Sequence, residues 1–95
     1  MDAEHLEKAA AIFRVLGDPA RLRTLLLLAA RERSVGELAK LENEKIGTIS
    51  ARLRVLLQAR LVRRRRHGKS VIYAIADSHV LNLVANTMEH AKEKE

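Results

Sequence analysis

Cysteine is absent from the 95-residue chain, which excludes disulfides, thiolate metal sites and thiol nucleophiles. Aromatic residues are almost absent. Phe13 and Tyr73 are too few to form the stacking platforms on which single-strand binders hold bases. No apolar run approaches the roughly 20 residues that cross a bilayer. The residues after Met1 are acidic and polar, with no hydrophobic signal core. These absences lead us to expect a soluble protein of the reducing cytoplasm, with no membrane partner. A Gly-rich phosphate loop and a paired nucleophile and base are missing too, so no enzyme is expected.

What is present is positive charge. Eighteen Lys and Arg against twelve Asp and Glu leave +6 per chain, hence +12 in a dimer, a balance that favours a polyanionic partner. Apolar residues make up 47% of the chain, enough for one modest core in a single domain spanning 1–95. A chain this small buries a limited fraction of its surface, so a dimer interface would help it.

Helical spacing begins at once, with Leu6, Ala9, Ala10, Phe13 and Leu16 marking a helix that Gly17 stops. Asp18 caps the next helix, and Pro19 takes its first position, where the missing N–H costs nothing. This helix carries Leu22, Leu25, Leu26 and Ala29, and the unbroken run Leu25 to Leu28 predicts burial on most sides. Ser34 and Glu37 have the spacing of a capping box and open a short third helix through Val35, Leu38 and Ala39 that fades by Asn43. A fourth helix, Lys45 to Arg60, buries Ile49, Leu53, Leu56 and Leu57. From Leu61 the pattern changes to two strands, Leu61 to Arg66 and Val71 to Ile75, joined by a turn at His67-Gly68. Asp77 caps a last helix holding Val80, Leu81, Leu83, Val84 and Met88, with Lys92 to Glu95 frayed.

The order predicts a mainly α fold with a small β-hairpin. A short helix, a tight turn and a longer helix make a helix-turn-helix over 34–60. A basic hairpin directly after it, at 61–75, makes the winged variant, α-α-α-α-β-β-α. The N-terminal part of the second helix of such a unit enters the major groove of double-stranded DNA. Its outward candidates are Lys45, Thr48, Ser50, Ala51 and Arg52, with Arg54 and Arg60 better placed for phosphates or simply for solvent. Gly47 either permits close approach of backbone to DNA or marks a later helix start. The hairpin carries Arg63, Arg64, Arg65, Arg66, His67 and Lys69. Four consecutive arginines put charge on both faces of a strand and suit a wing lying along the DNA backbone.

Histidine supplies a second chemistry. Asp77, His79, His90 and Glu93 all lie on or at the start of the last helix. Eleven residues return His90 nearly to the face of His79, but about 16 Å along the axis, too far for one metal ion to bridge within a helix. Two copies packed antiparallel across a two-fold axis bring Asp77 and His79 of one chain to His90 and Glu93 of the other, giving two sites per dimer. Two nitrogens and two carboxylate oxygens suit tetrahedral zinc, with cobalt or nickel as alternatives. The plainer alternative makes Asp77 an N-cap and both histidines surface residues. His5, near the N-terminus, reads as solvent-exposed.

Together these segments resemble the ArsR/SmtB family of metal-responsive winged-helix repressors. The likeness runs from Phe13 to Glu93. It rests on Leu16-Gly17-Asp18-Pro19-Ala20-Arg21-Leu22-Arg23, on Val35-Gly36-Glu37-Leu38-Ala39, on Ile49-Ser50 with Leu53 and Leu56, and on Leu61-Val62 leading into the wing. Asp77-Ser78-His79 and His90-Ala91-Lys92-Glu93 match the family's last-helix zinc pattern residue by residue. The resemblance implies a homodimer joined through its first and last helices. It also implies a repressor that binds operator DNA and lets it go when zinc or a similar divalent ion binds as allosteric effector. Ser34 and Val35 stand where relatives with a third-helix metal site carry cysteines, and Lys45 and Gly47 where small polar residues are common. Relatives with a larger metal shell use terminal histidines, a role open to His5. The alternative is a regulator of the same fold without metal sensing.

Overall fold

Local capping chemistry sets most of the helix boundaries. In the computed structural model, which describes residues 1–93, helix α1 (Ala3–Leu16) begins with the Asp2 carboxylate accepting the Glu4 N–H at 3.0 Å. Helix α2 (Pro19–Ala30) begins with Asp18 accepting the Arg21 N–H at 3.0 Å, and Pro19 occupies the first turn. Helix α3 (Val35–Glu42) has a complete capping box. Ser34 Oγ accepts from Glu37 N at 3.2 Å, and the Glu37 carboxylate accepts from Ser34 N at 3.0 Å.

Both helices of the helix-turn-helix close with a left-handed residue. After α3, Asn43 has φ 53° and the Glu44 N–H reaches back to the Ala39 carbonyl at 2.9 Å. After α4 (Ile46–Gln58), Arg60 has φ 60°, and the Leu61 N–H reaches the Leu56 carbonyl at 3.0 Å. Each is a Schellman closure that satisfies carbonyls the helix leaves orphaned. The second ends α4 at Gln58, so the helix stops short of the expected Arg60.

A three-stranded antiparallel sheet follows, in the order β1-β3-β2. Strand β2 (Val62–His67) and strand β3 (Ser70–Ile75) form the hairpin, with His67 opposite Ser70. The turn is therefore Gly68-Lys69, one residue later than expected. Gly68 takes φ 61° and Lys69 does not, the pattern of the II′ turns that match the twist of paired strands. Strand β1 (Arg33–Ser34) was not expected and pairs with Tyr73 and Ile72 on β3. The last helix, α5 (Ser78–Lys92), starts on Asp77, whose carboxylate accepts the Val80 N–H at 3.0 Å. Lys92 is its last helical residue. Lys94 and Glu95, expected to fray, lie outside the described residues.

The core joins Leu25 and Leu28 of α2, Leu38 of α3, Ile49, Leu53 and Leu56 of α4, Tyr73 of β3, and Val80 and Val84 of α5. Leu26 and Leu27 are only half-buried, so α2 is not enclosed on most sides. No residue of α1 is fully buried. Leu6 and Phe13, expected on its packed face, are 55% and 60% exposed, and Leu81 of α5 is 39% exposed. Among the described residues no helix is long and apolar enough to cross a membrane.

Candidate nucleic-acid interface and metal half-sites

Helix α4 is held by its buried face, Ile49, Leu53 and Leu56, so its first two turns are presented outward. Lys45, Ile46, Gly47, Thr48 and Ala51 are exposed there, and Ser50 is half-buried. No acidic side chain lies in the first turn, and no side chain caps its free amides, which leaves a partial positive charge suited to a phosphate. A Cβ built on Gly47 would meet nothing within 4 Å, so nothing in the chain itself requires glycine.

Arg52 does not join this outward set. Its side chain is 9% exposed, and its guanidinium donates to Glu42 Oε1 at 3.1 Å and to Thr24 Oγ1 at 3.2 Å. The Glu42 side chain is fully buried, and its other oxygen accepts from Thr24 Oγ1 at 2.8 Å. The three side chains tie α2, α3 and α4 together in a satisfied polar cluster, which engages the Arg52 guanidinium within the fold. Helical periodicity gave no sign of this, because Thr24 and Glu42 lie on other helices.

On the wing, every residue from Arg63 to Lys69 is exposed. The register places Arg64 and Arg66 opposite Tyr73 and Val71 on one face, and Arg63, Arg65 and His67 opposite Ala74, Ile72 and Ser70 on the other. Arg65 is paired with Glu32. Among the described residues, Arg63, Arg64, Arg66 and Lys69 enter no ion pair, so their charge is free for a polyanion.

The metal candidates form two separate pairs. At the start of α5, His79 Nδ1 lies 3.7 Å from Asp77 Oδ1. At its end, His90 Nδ1 lies 3.6 Å from Glu93 Oε2. All four side chains are more than half exposed. Among the described residues no three His, Asp or Glu converge within the chain, so each pair is at most half of a site. His5 instead pairs with Asp2, at 3.2 Å, within the first turn of the chain.

A family model described as a helix-turn-helix domain matches residues 16–65. Over all 95 residues the chain is 37% identical to a transcriptional repressor SmtB homolog of Synechocystis, covering 72% of that protein. It is 40% identical over 81 residues to the HTH-type transcriptional regulator KmtR of Mycobacterium tuberculosis, a match that covers 85% of the chain and 62% of the relative. Among solved structures it is similar to the homodimeric winged helix-turn-helix DNA-binding domain of a possible ArsR-family transcriptional regulator from Mycobacterium bovis. There the TM-score is 0.92 at 35% identity, covering 96% of this chain and 84% of the other.

Proposed function

The chain belongs to the ArsR/SmtB family of winged helix-turn-helix transcriptional regulators, and on that premise we propose that it is a cytoplasmic homodimeric repressor whose grip on operator DNA is weakened by zinc or a similar divalent ion. The observation that carries the proposal is the layout of α5. A His–carboxylate pair stands at each end of the helix, while Leu81 between them and Phe13 of α1 stay exposed in the single chain. Pairing α1 and α5 of two copies covers those apolar side chains. It also sets Asp77 and His79 of one protomer beside His90 and Glu93 of its partner, twice per dimer.

The donor set fits the ion: two imidazoles and two carboxylates, all solvent-accessible. Asp77 caps α5 through Oδ1, the atom that accepts the Val80 N–H, so ligation through its second oxygen leaves the cap intact. A bound ion would supply a double positive charge, and Asp77 and His79 of one protomer with His90 and Glu93 of its partner would hold it between the two α5 helices. His79 and His90 would each offer one ring nitrogen to the ion, beside the carboxylates of Asp77 and Glu93. Lys45, Thr48, Ser50 and Ala51 contact the major groove, and Arg64, Arg65, Arg66, His67 and Lys69 contact the backbone beside it. Arg65 exchanges Glu32 for phosphate. By linkage, DNA weakens metal binding by the same factor as metal weakens DNA binding.

The second reading, a regulator of this fold without metal sensing, draws on the N-cap that already accounts for Asp77. DNA binding itself is tested by selecting duplexes from a random pool and measuring affinity at one salt concentration. The selected palindrome should bind at least about 10³-fold tighter than random duplex. An architectural basic protein would show shallow preference and dependence on salt alone.

A further inference from the structure

With Arg52 withdrawn to Glu42 and Thr24, the tip of α4 is chemically unusual for a surface that reads DNA. From Ile46 to Ala51 it carries no Asn, Gln, Arg or Lys. Those side chains are the ones that recognise adenine or guanine by paired hydrogen bonds in the major groove. Arg54, the next exposed arginine, stands eight residues beyond Ile46, about 12 Å further along the axis. What the tip does present is hydrocarbon. Ile46, the first residue of α4, is 61% exposed. Thr48 and Ala51 add methyl groups to the exposed surface, and the bare backbone at Gly47 has open space before it. An isoleucine this exposed at the start of a helix lies outside the core, to which α4 contributes Ile49, Leu53 and Leu56.

We infer that Ile46 is a specificity-determining residue which recognises the 5-methyl group of thymine, so that each operator half-site is read at its centre by apolar contact rather than by paired hydrogen bonds. The inference rests on the proposed DNA-binding function and deepens it. In the major groove the thymine methyl is the one apolar mark on a base edge, and it distinguishes T·A from C·G and from A·T at a given strand position. Burying one methyl group against hydrocarbon is worth about fourfold in affinity. The uncapped amides at the start of the helix anchor the flanking phosphate and fix the approach.

The test uses the full chain and a duplex selected from a random pool. Thymines in each half-site are replaced singly by uracil, which removes the methyl and leaves every hydrogen-bonding group. The expected result is a loss of about three- to tenfold at one or two thymines per half-site for the wild-type protein, and a loss below twofold at the same positions for Ile46→Ala. Ile46→Gln, which offers an amide instead, should also lose its sensitivity to uracil and shift the selected base at that position toward adenine. Unchanged affinity on every uracil duplex, or full uracil sensitivity retained by Ile46→Ala, overturns the inference and leaves the repressor reading standing. A pool that yields no preferred duplex overturns both.

Discussion

Arg52→Met should cost far more stability than the loss of a surface arginine. Its guanidinium is 9% exposed and its partner carboxylate on Glu42 is fully buried, at 3.1 Å. Removing Arg52 strands that carboxylate with the Thr24 hydroxyl as its remaining side-chain partner. Breaking one side of a buried pair costs about 3–5 kcal/mol, most of it the uncompensated charge. For a domain of this size, that corresponds to a fall in Tm of at least about 12 °C. Urea unfolding at fixed protein concentration, which holds any contribution of the proposed dimer constant, measures it directly. The paired substitution Glu42→Leu with Arg52→Met removes both charges together and should recover most of the loss. It should also keep operator affinity and its salt dependence, because the Arg52 guanidinium is turned inward to Glu42 and Thr24. A cost below about 1 kcal/mol for Arg52→Met, the value typical of an exposed arginine, would refute the buried cluster. A flatter salt slope in the folded double variant would return Arg52 to the DNA interface.

Two further predictions follow from the wing and the capping box. Arg64→Ala with Arg66→Ala should weaken binding to all duplexes alike and lower the slope of log affinity against log salt by about 1.8, the loss of two phosphate contacts, as read by anisotropy over a salt series. Glu37 is held below its ordinary value, chiefly by the hydrogen bond from the Ser34 backbone and next by the charge of Arg31 against the opposing effect of desolvation. A depressed carboxylate stabilises the fold above its unfolded value and loses that contribution as pH falls through the folded one. Stability should therefore decline below about pH 4.5, and Glu37→Gln should show a shallower decline in the same acid titration.

Features written in neighbouring residues were legible. The Asp18-Pro19 start of α2 and the Ser34–Glu37 box are near-neighbour chemistry, and both stand as expected. The pairs Asp77–His79 and His90–Glu93 follow from spacings of two and three, whereas the proposed joining of the pairs across two chains leaves no mark in the spacing of one. Strand β1 was hidden because two residues carry no periodicity and their partners, Ile72 and Tyr73, are remote. The hairpin turn slipped by one residue because four arginines in a row erase the alternation that marks register. Arg52 misled for a related reason: a helical wheel places side chains by angle, but a long guanidinium bends toward a buried carboxylate on another helix. The exposure of Leu6 and Phe13 was likewise invisible, since an apolar stripe reads the same whether it faces its own core or another molecule.

The central claim is that metal bound across the two α5 helices lowers affinity for DNA. Zinc titration of the protein–operator complex, followed by fluorescence anisotropy, tests it most directly, with His79→Ala and His90→Ala beside the wild type. The account predicts that zinc weakens wild-type binding at least about fivefold, the lower end of typical allosteric coupling, and shifts either variant less than twofold. Wild-type affinity unchanged by saturating zinc would contradict it, leaving a DNA-binding regulator that answers to another signal.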